Sequence, residues 1–282
     1  MSLWHALAAL LPFQWAQYAF MRNALLAVLI VSPLFALLGC MVINRQMAFF
    51  ADAIGHAGLT GVAIGALAGL ADPLWAMTAF AVALALALTA LRRWGSSSAD
   101  TAIGIISSFS VALGIVLLSR MGGFAKYSRF LVGDILNITA GQLPWLLVTA
   151  ALFLACWALF FNAVVLVSVN RSLARSRRFN VWAVETLFAA LTAAVVTVSI
   201  PWVGILVINA LLVLPAAASR NVTVSVRSYL WTAVIVSTVS GIAGLVASFY
   251  LGTATGGTIV LIAAGAYAVS LLMRGLRKNG VR

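Results

Sequence analysis

Long uninterrupted apolar runs recur along the whole of this sequence, and they restrict its fold more than any other feature. A bilayer core about 30 Å thick is crossed by a helix of about 20 apolar residues. The runs are rich in Leu, Ala and Val, whereas the strands of a membrane barrel alternate polar and apolar residues. The sequence therefore predicts an all-α, polytopic membrane protein with eight or nine transmembrane helices. The candidate spans are residues 24–43, 53–71, 73–91, 102–119, 144–168, 182–200, 203–218, 229–250 and 257–273.

The composition excludes a soluble protein. Of 282 residues, 64% are hydrophobic and 8% are charged, whereas soluble domains carry about 45–50% apolar and about 25% charged residues. Because lipid must replace the missing polar surface, a cytoplasmic enzyme, a disulfide scaffold and a disordered chain are excluded. We expect one transmembrane domain over residues 1–282, with a helical bundle at 24–273 and a cytoplasmic tail at 274–282.

The first 23 residues are expected to form an interfacial lead-in. They lack the positively charged start and the small-residue cleavage site of a secretory signal. Aromatic side chains are enriched at the headgroup level of membranes. We therefore expect Trp4, Phe13, Trp15 and Tyr18 to rest at that level.

Positive charge is concentrated between the apolar runs. The net charge is +12, and arginines in short gaps indicate membrane topology rather than nucleic-acid binding. With nine spans, four clusters fall on one side, which the positive-inside rule makes cytoplasmic together with the C-terminus. The count would change if segment 53–71 or 203–218 only dips into the bilayer. The clusters are Arg92 and Arg93; Arg171, Arg175, Arg177 and Arg178; Arg220 and Arg227; and Arg274, Arg277, Lys278 and Arg282, while Arg120, Lys126 and Arg129 fall on the other side.

Ionisable residues at membrane depth are candidate functional residues, because each costs about 2.5–3.5 kcal/mol to insert. Asp52 and His56 open the second span four residues apart, which places them on one helix face with Cβ atoms about 5–6 Å apart. A carboxylate oxygen and an imidazole nitrogen suit zinc, manganese or ferrous iron better than magnesium or calcium. Two ligands make an incomplete site, which water, backbone carbonyls or the same pair of a second subunit would complete.

Asp52, His56 and Glu185 can each have a purely structural role instead. Asp52 can cap its helix by accepting from the amides of Ile54 or Gly55, and His56 can donate to a carbonyl. An acid such as Glu185, near the start of the sixth span, is favoured there by the helix dipole. Spacing alone favours these structural roles over metal binding.

Small residues recur on one face of the second span. Gly61, Gly65 and Gly69 follow one another every four residues, a spacing that lets membrane helices approach closely. Tight packing inside one subunit explains this better than a subunit interface. The glycine-rich stretch 252–257 predicts a turn between the last two spans.

Motifs of enzyme chemistry are absent from the sequence. There is no HExxH, no GxSxG and no P-loop, and neither of the two lysines, Lys126 and Lys278, follows a GxxxxGK[ST] pattern. We therefore expect a transport subunit rather than an enzyme, and any ATPase would be a separate chain.

Four stretches carry a resemblance to a known family. They are MAFFADAIGHAGLTGVAIG from Met47, ADTAIGIISSFSVALGIVLLS from Ala99, LVGDILNIT from Leu131 and VGILVINALLVLPAAASR from Val203. In order and separation they resemble the permease subunits of bacterial ABC importers for zinc, manganese and iron, along residues 20–275.

The resemblance implies a homodimeric permease in the bacterial plasma membrane, with a cytoplasmic ATP-binding subunit below and an extracytoplasmic metal-binding protein outside. The family's acid-and-histidine motif falls on Asp52 and His56, which favours a metal-contact role for them. No cofactor is expected to be bound permanently, and the transported ion would be Zn²⁺, Mn²⁺ or Fe²⁺. The family's ATPase-coupling loop falls on Pro215, Ala216, Ala217, Ala218, Ser219 and Arg220.

The sequence departs from the family at two places. Gly55 precedes the histidine where a serine is expected, which could alter how His56 is held. The loop around Asn170 lacks the family's usual acid. Two other functions stay open: a permease for a metal chelate such as haem or a siderophore, and an ATP-independent metal transporter.

Overall fold

The computed structural model describes residues 13–70, 72–94, 99–120 and 135–279. These residues form ten α-helices and two short 3-10 turns, at Gln14–Gln17 and Ile135–Asn137, and no strand occurs among them. Nine of the helices are long and apolar enough to cross a membrane. The helices are α1 Ala19–Asn44, α2 Phe50–Leu67, α3 Leu74–Trp94, α4 Ala99–Arg120, α5 Leu143–Val169, α6 Arg171–Ser176, α7 Val181–Val203, α8 Ile205–Val222, α9 Val226–Leu251 and α10 Thr255–Asn279.

The predicted all-α membrane fold is confirmed, and each predicted span corresponds to one long helix. The helix ends differ from the apolar windows by a few residues. Helix α1 already begins at Ala19, inside the predicted lead-in, and α10 continues to Asn279, through most of the predicted tail. Backbone hydrogen bonding extends a helix into polar sequence, so hydropathy alone does not mark its end.

Trp15, a residue of the predicted lead-in, is buried in the protein. Trp15 is only 7% exposed and belongs to the hydrophobic core, so it packs against protein rather than facing lipid. Phe13 and Tyr18 are half-exposed, and the headgroup level expected for all three side chains stays a prediction. The 3-10 turn at Gln14–Gln17 directs Trp15 inward, where its large apolar surface is buried. Trp4 lies outside the described residues.

The long helices pack in two groups that meet at the centre. Helices α8 and α9 contact each other, and each of them also contacts α1 and α10; α2 packs against α3, α4 and α7. Helix α5 joins the groups by contacting α1 and α7. Close packing depends on small residues: a Cβ atom on Gly39 of α1 would overlap the carbonyl oxygen of Leu212 in α8. The core is therefore built on backbone-to-backbone approach, as is typical of membrane helices.

The glycines of the second span mostly pack within the subunit, as predicted. A Cβ atom on Gly61 would lie 2.5 Å from Met77 Cα, and one on Gly65 would lie 2.8 Å from the Cβ of Ala76, both in α3. Gly69 instead follows the end of α2 with a φ of +68°, a left-handed conformation that favours glycine. The turn at 252–257 is confirmed in part, because α10 already begins at Thr255.

A single residue joins α7 to α8. Gly204 is that residue, and its φ is +85°. Because no longer connection separates the two helices, the chain turns sharply at Gly204. The turn packs on the first half of α2: Ile200 lies near Gly58 and Ile205 near Gly55. This packing brings the start of α8 beside the part of α2 that carries Asp52.

Candidate metal-contact site

Asp52 and His56 lie one turn apart on α2 and interact directly. His56 Nε2 is 3.5 Å from Asp52 Oδ1. The helix begins at Phe50 and has no side-chain cap at Phe49, so Asp52 is a residue of the first turn and not its cap. The i, i+4 geometry expected from the sequence is therefore present, and both side chains present ligand atoms on one face.

Asn209 of α8 is a third member of this site. Its Nδ2 donates to Asp52 Oδ1 over 2.7 Å, a contact that spans the junction between the two groups of helices. Asn209 Oδ1 is buried and has no hydrogen-bond partner among the described residues. Sequence reasoning missed Asn209 because it searched the spans for ionisable side chains only. Its carboxamide in the otherwise apolar run 203–218 is the sequence feature from which Asn209 could have been predicted.

The site is open at the surface of the single subunit. The side chains of Asp52 and His56 are each 44% exposed, although the core around them is closely packed. Their neighbours Ala51, Ala53 and Gly55 on the same helix are buried. One face of α2 therefore carries a half-exposed carboxylate and a half-exposed imidazole, with Asn209 of α8 beside the carboxylate.

No larger set of ligands occurs in the described part of the chain. Residues 13–70, 72–94, 99–120 and 135–279 contain no group of three or more His, Cys, Asp or Glu side chains that could hold a metal ion. The pair of Asp52 and His56, with the amide of Asn209 beside it, is thus the available donor set. Three protein groups leave coordination positions open for water or for another chain.

Glu185 lies at a different place in the molecule. Its Oε1 accepts from Arg171 Nη2 at 2.6 Å, close to where α6 meets α7. Asn180 caps α7 by accepting from the amide of Ala183, so Glu185 is in the second turn of that helix. The structure thus gives Glu185 an ion pair that the sequence did not predict.

The segment expected to form a coupling loop is helical. Residues 215–220 continue α8 to Val222, with Pro215 inside the helix, so the predicted loop is wrong at these positions. Proline is tolerated within membrane helices because neighbouring groups satisfy the freed backbone. Ser219 is buried and donates to the carbonyl of Tyr229 over 2.7 Å, whereas Arg220 is exposed. The connection to α9 is Thr223, Val224 and Ser225, and Val224 is fully exposed.

Comparisons with known proteins agree with this architecture. The chain is 31% identical over 252 residues to the high-affinity zinc uptake system membrane protein ZnuB of Haemophilus influenzae, covering 89% of this chain and 96% of the relative. It is 29% identical over 256 residues to the manganese transport system membrane protein MntC of Listeria innocua, covering 91% of each. Such relatives and the nine apolar helices make it a multi-pass protein of the bacterial plasma membrane.

A solved structure and a family model match almost the whole chain. PsaBC from Streptococcus pneumoniae, in complex with a Fab, contains a chain that superposes with a TM-score of 0.78 at 29% identity, covering 90% of this chain and 91% of that one. The model of the ABC 3 transport family matches residues 17–274. With that extent of match, the chain is a membrane transport subunit that belongs to the ABC 3 transport family.

Proposed function

We propose that this chain is the membrane permease of an ATP-driven importer of zinc, manganese or ferrous iron. The observation that carries the proposal is the half-exposed cluster of Asp52, His56 and Asn209 in a chain of this family. Its relatives are named as zinc and manganese uptake proteins. The ion would pass this cluster on its way from an extracytoplasmic binding protein to the cytoplasm.

The exposure of Asp52 argues for a partner or an aqueous path against the cluster. A charged side chain facing lipid would cost about 2.5–3.5 kcal/mol, and the carboxylate and imidazole are both 44% exposed. A second copy of this chain, related by a twofold axis, would cover this face and bring its own carboxylate and imidazole to it. Such a C2 arrangement is the commonest symmetry of homo-oligomers.

The donor types suit transient binding of a transition-metal ion. Imidazole nitrogen and carboxylate oxygen both ligate zinc, manganese and ferrous iron, and Asn209 Oδ1 is a free oxygen acceptor at the same place. An imported ion must also be released, and conduction requires binding that is weak or shared among several sites. An incomplete donor set in each subunit meets that requirement.

ATP hydrolysis is proposed to occur in a separate cytoplasmic subunit. The end of α8 and the connection that follows it offer a docking surface: Arg220, Val224 and Arg227 are exposed there, whereas Pro215 and Ser219 are buried. The buried residues at the start of the coupling segment 215–220 would thus transmit movement of the ATPase to the packed helices of the permease. Arg220 and the residues after it would contact the ATPase.

Radioactive metal uptake tests the proposal. Asp52→Ala and His56→Ala should each abolish uptake of ⁶⁵Zn or ⁵⁴Mn in cells that depend on this importer, with normal abundance in the membrane. Asp72→Ala is the matched control, because Asp72 is an exposed carboxylate whose Oδ1 accepts from the amide of Leu74 at the start of α3. Undiminished uptake by both site variants would contradict the metal-contact role and favour transport of a chelate.

A further inference from the structure

A basic cavity lies where four helices end or begin, and neither Asp52, His56 nor Asn209 lines it. Its volume is about 520 Å³. The end of α1 contributes Arg45, the end of α3 contributes Arg92, and α6 contributes Arg171 and Arg175; Glu185 of α7 is the one acid in the lining. An adjoining cavity of about 420 Å³ shares Arg45, Arg92, Arg171 and Glu185. The lining of the first cavity has a net charge of +3.

Arg45 brings a largely buried positive charge to this cavity. Its Nε and Nη2 atoms are buried and have no hydrogen-bond partner among the described residues. The guanidinium lies over the ring of Phe188, with Cζ 4.4 Å from the ring centroid. Burial lowers the pKa of Arg45 to about 10, with the charge of Glu185 opposing that change. The side chain is therefore still cationic at neutral pH, and a buried cation without an anionic partner is costly.

Glu185 does not neutralise this cavity. Its carboxylate is engaged by Arg171 at 2.6 Å, which leaves the charges of Arg45 and Arg175 without an equally close acid among the described residues. A guanidinium presents a planar set of donors that matches phosphate oxygens two at a time. The cavity thus has the charge and the donor geometry for a phosphate group.

We propose that this cavity binds a phosphate group, and that its source is the headgroup of an anionic phospholipid. The cavity lies at the ends of membrane-spanning helices, on the side that the positive-inside rule assigns to the cytoplasm. Phe179 and Trp182 line it and remain partly exposed, as aromatic residues do at the level of lipid headgroups. Basic pockets between membrane helices on the cytoplasmic side are suited to phospholipid headgroups.

Lipid retention measured by native mass spectrometry tests this inference. The full chain, purified in detergent, would be incubated with phosphatidylglycerol, with phosphatidylcholine, or with inorganic phosphate alone. Phosphatidylglycerol should be retained in preference to phosphatidylcholine. In Arg45→Gln and in Arg175→Gln its apparent Kd should rise about tenfold, as expected for the loss of one charge-assisted hydrogen bond. Arg177→Gln is the matched control, because Arg177 is exposed on the same segment and lines neither cavity.

Each outcome decides a part of the inference. If inorganic phosphate stabilises the wild-type chain against heat but phosphatidylglycerol is not retained, the phosphate site stands and its lipid source is overturned. Equal retention of both lipids, or equal retention by all three variants and the wild type, would overturn the site itself. Should Arg45→Gln fail to fold, Arg175→Gln carries the same test, because Arg175 is exposed and far less embedded in the core.

Discussion

At the scale of single residues, the carboxylate of Asp52 is held by two helices at once. His56 approaches it from the next turn of α2, and Asn209 donates to it from α8. Both interactions involve the same oxygen, Oδ1. The orientation of the carboxylate therefore depends on how α2 and α8 sit against each other, so helix movement during transport would change the metal-contact geometry.

Substitution of Asn209 should uncouple Asp52 from α8. In Asn209→Leu the carboxylate loses its donor, and hydrogen bonds to charged groups are worth about 1.5–3 kcal/mol. We expect metal uptake to fall at least about tenfold while the chain still reaches the membrane. Asn209→Asp adds a second carboxylate and should instead tighten metal binding and slow release, measured by metal affinity and turnover in proteoliposomes. Uptake unchanged in Asn209→Leu would show that the amide does not position Asp52.

Uptake should also depend on pH through His56. An imidazole must be neutral to ligate a metal, so protons compete with the ion, and histidine changes its charge between about pH 5 and 8. Metal uptake by the wild type should therefore fall as pH decreases through that range. His56→Asp keeps a ligand that stays ionised at lower pH, and its uptake should change less between pH 7 and 5 than that of the wild type. An identical pH profile in the two proteins would contradict the role of the imidazole.

The two contacts of Asp52 differ in how far they could be predicted. The pairing with His56 follows from the helical repeat, since residues four apart face each other on any α-helix. The contact with Asn209 joins residues 157 positions apart, and no local pattern encodes such a distance. Its geometry arises from the sharp turn at Gly204 and the packing of α8 on α2.

At the scale of helices, α1 and α8 approach each other closely in the core. Gly39 lies directly against the backbone of Leu212, and α8 also carries Asn209 and the segment 215–220. The position of α8 relative to α1 therefore sets both the metal-contact geometry and the exposed end that is proposed to meet the ATPase.

A methyl group at Gly39 should disrupt this approach. Gly39→Ala would force α1 and α8 apart, and overpacking of this kind costs about 1–3 kcal/mol. Gly104→Ala is the matched control, since a Cβ atom there meets nothing within 4 Å and alanine favours helix by about 1 kcal/mol over glycine. Thermal unfolding in detergent should show a lower midpoint for Gly39→Ala and an equal or higher one for Gly104→Ala. A midpoint for Gly39→Ala equal to that of the wild type would contradict the close contact.

The exposed end of α8 should matter for assembly rather than for folding. Val224→Asp places a charge on a fully exposed side chain between α8 and α9, so the fold should be unaffected. Co-purification of the ATP-binding subunit should decrease, whereas Leu70→Asp, a substitution at an exposed position in the connection between α2 and α3, should leave it unchanged. Normal recovery of the ATPase with Val224→Asp would remove this connection from the docking surface.

The helices themselves were predictable, but their ends were not. Apolar runs of about 20 residues indicate where the chain can cross a bilayer, and all nine correspond to long helices in the described residues. A coupling loop was expected at segment 215–220 from the family resemblance. Intrahelical hydrogen bonds continue past Pro215 and Arg220 to Val222. The burial of Trp15 could not be predicted from hydropathy either, because hydropathy does not separate protein-facing from lipid-facing apolar residues.

At the scale of the whole molecule, the single chain lacks two parts that a metal importer needs, a complete metal site and an ATPase. The proposed metal-contact cluster is half-exposed, and the described residues around it supply too few donor groups to complete a metal site. The sequence also carries no P-loop to hydrolyse ATP. Both deficits are met in the proposed assembly, in which two copies face each other across the cluster and an ATPase binds below. The family match and the superposition on a chain of PsaBC support the membrane-subunit part of this assembly.

The position of the transported ion in the assembled dimer is the most direct test of this account. Crystals of the complex grown with Mn²⁺ would be measured at the manganese absorption edge, and the anomalous difference map would locate the ion without assumptions about its ligands. The account predicts a peak between the two subunits, within coordination distance of Asp52 and His56 from each copy. A manganese peak elsewhere in the membrane region, with both pairs of side chains turned toward lipid, would contradict it.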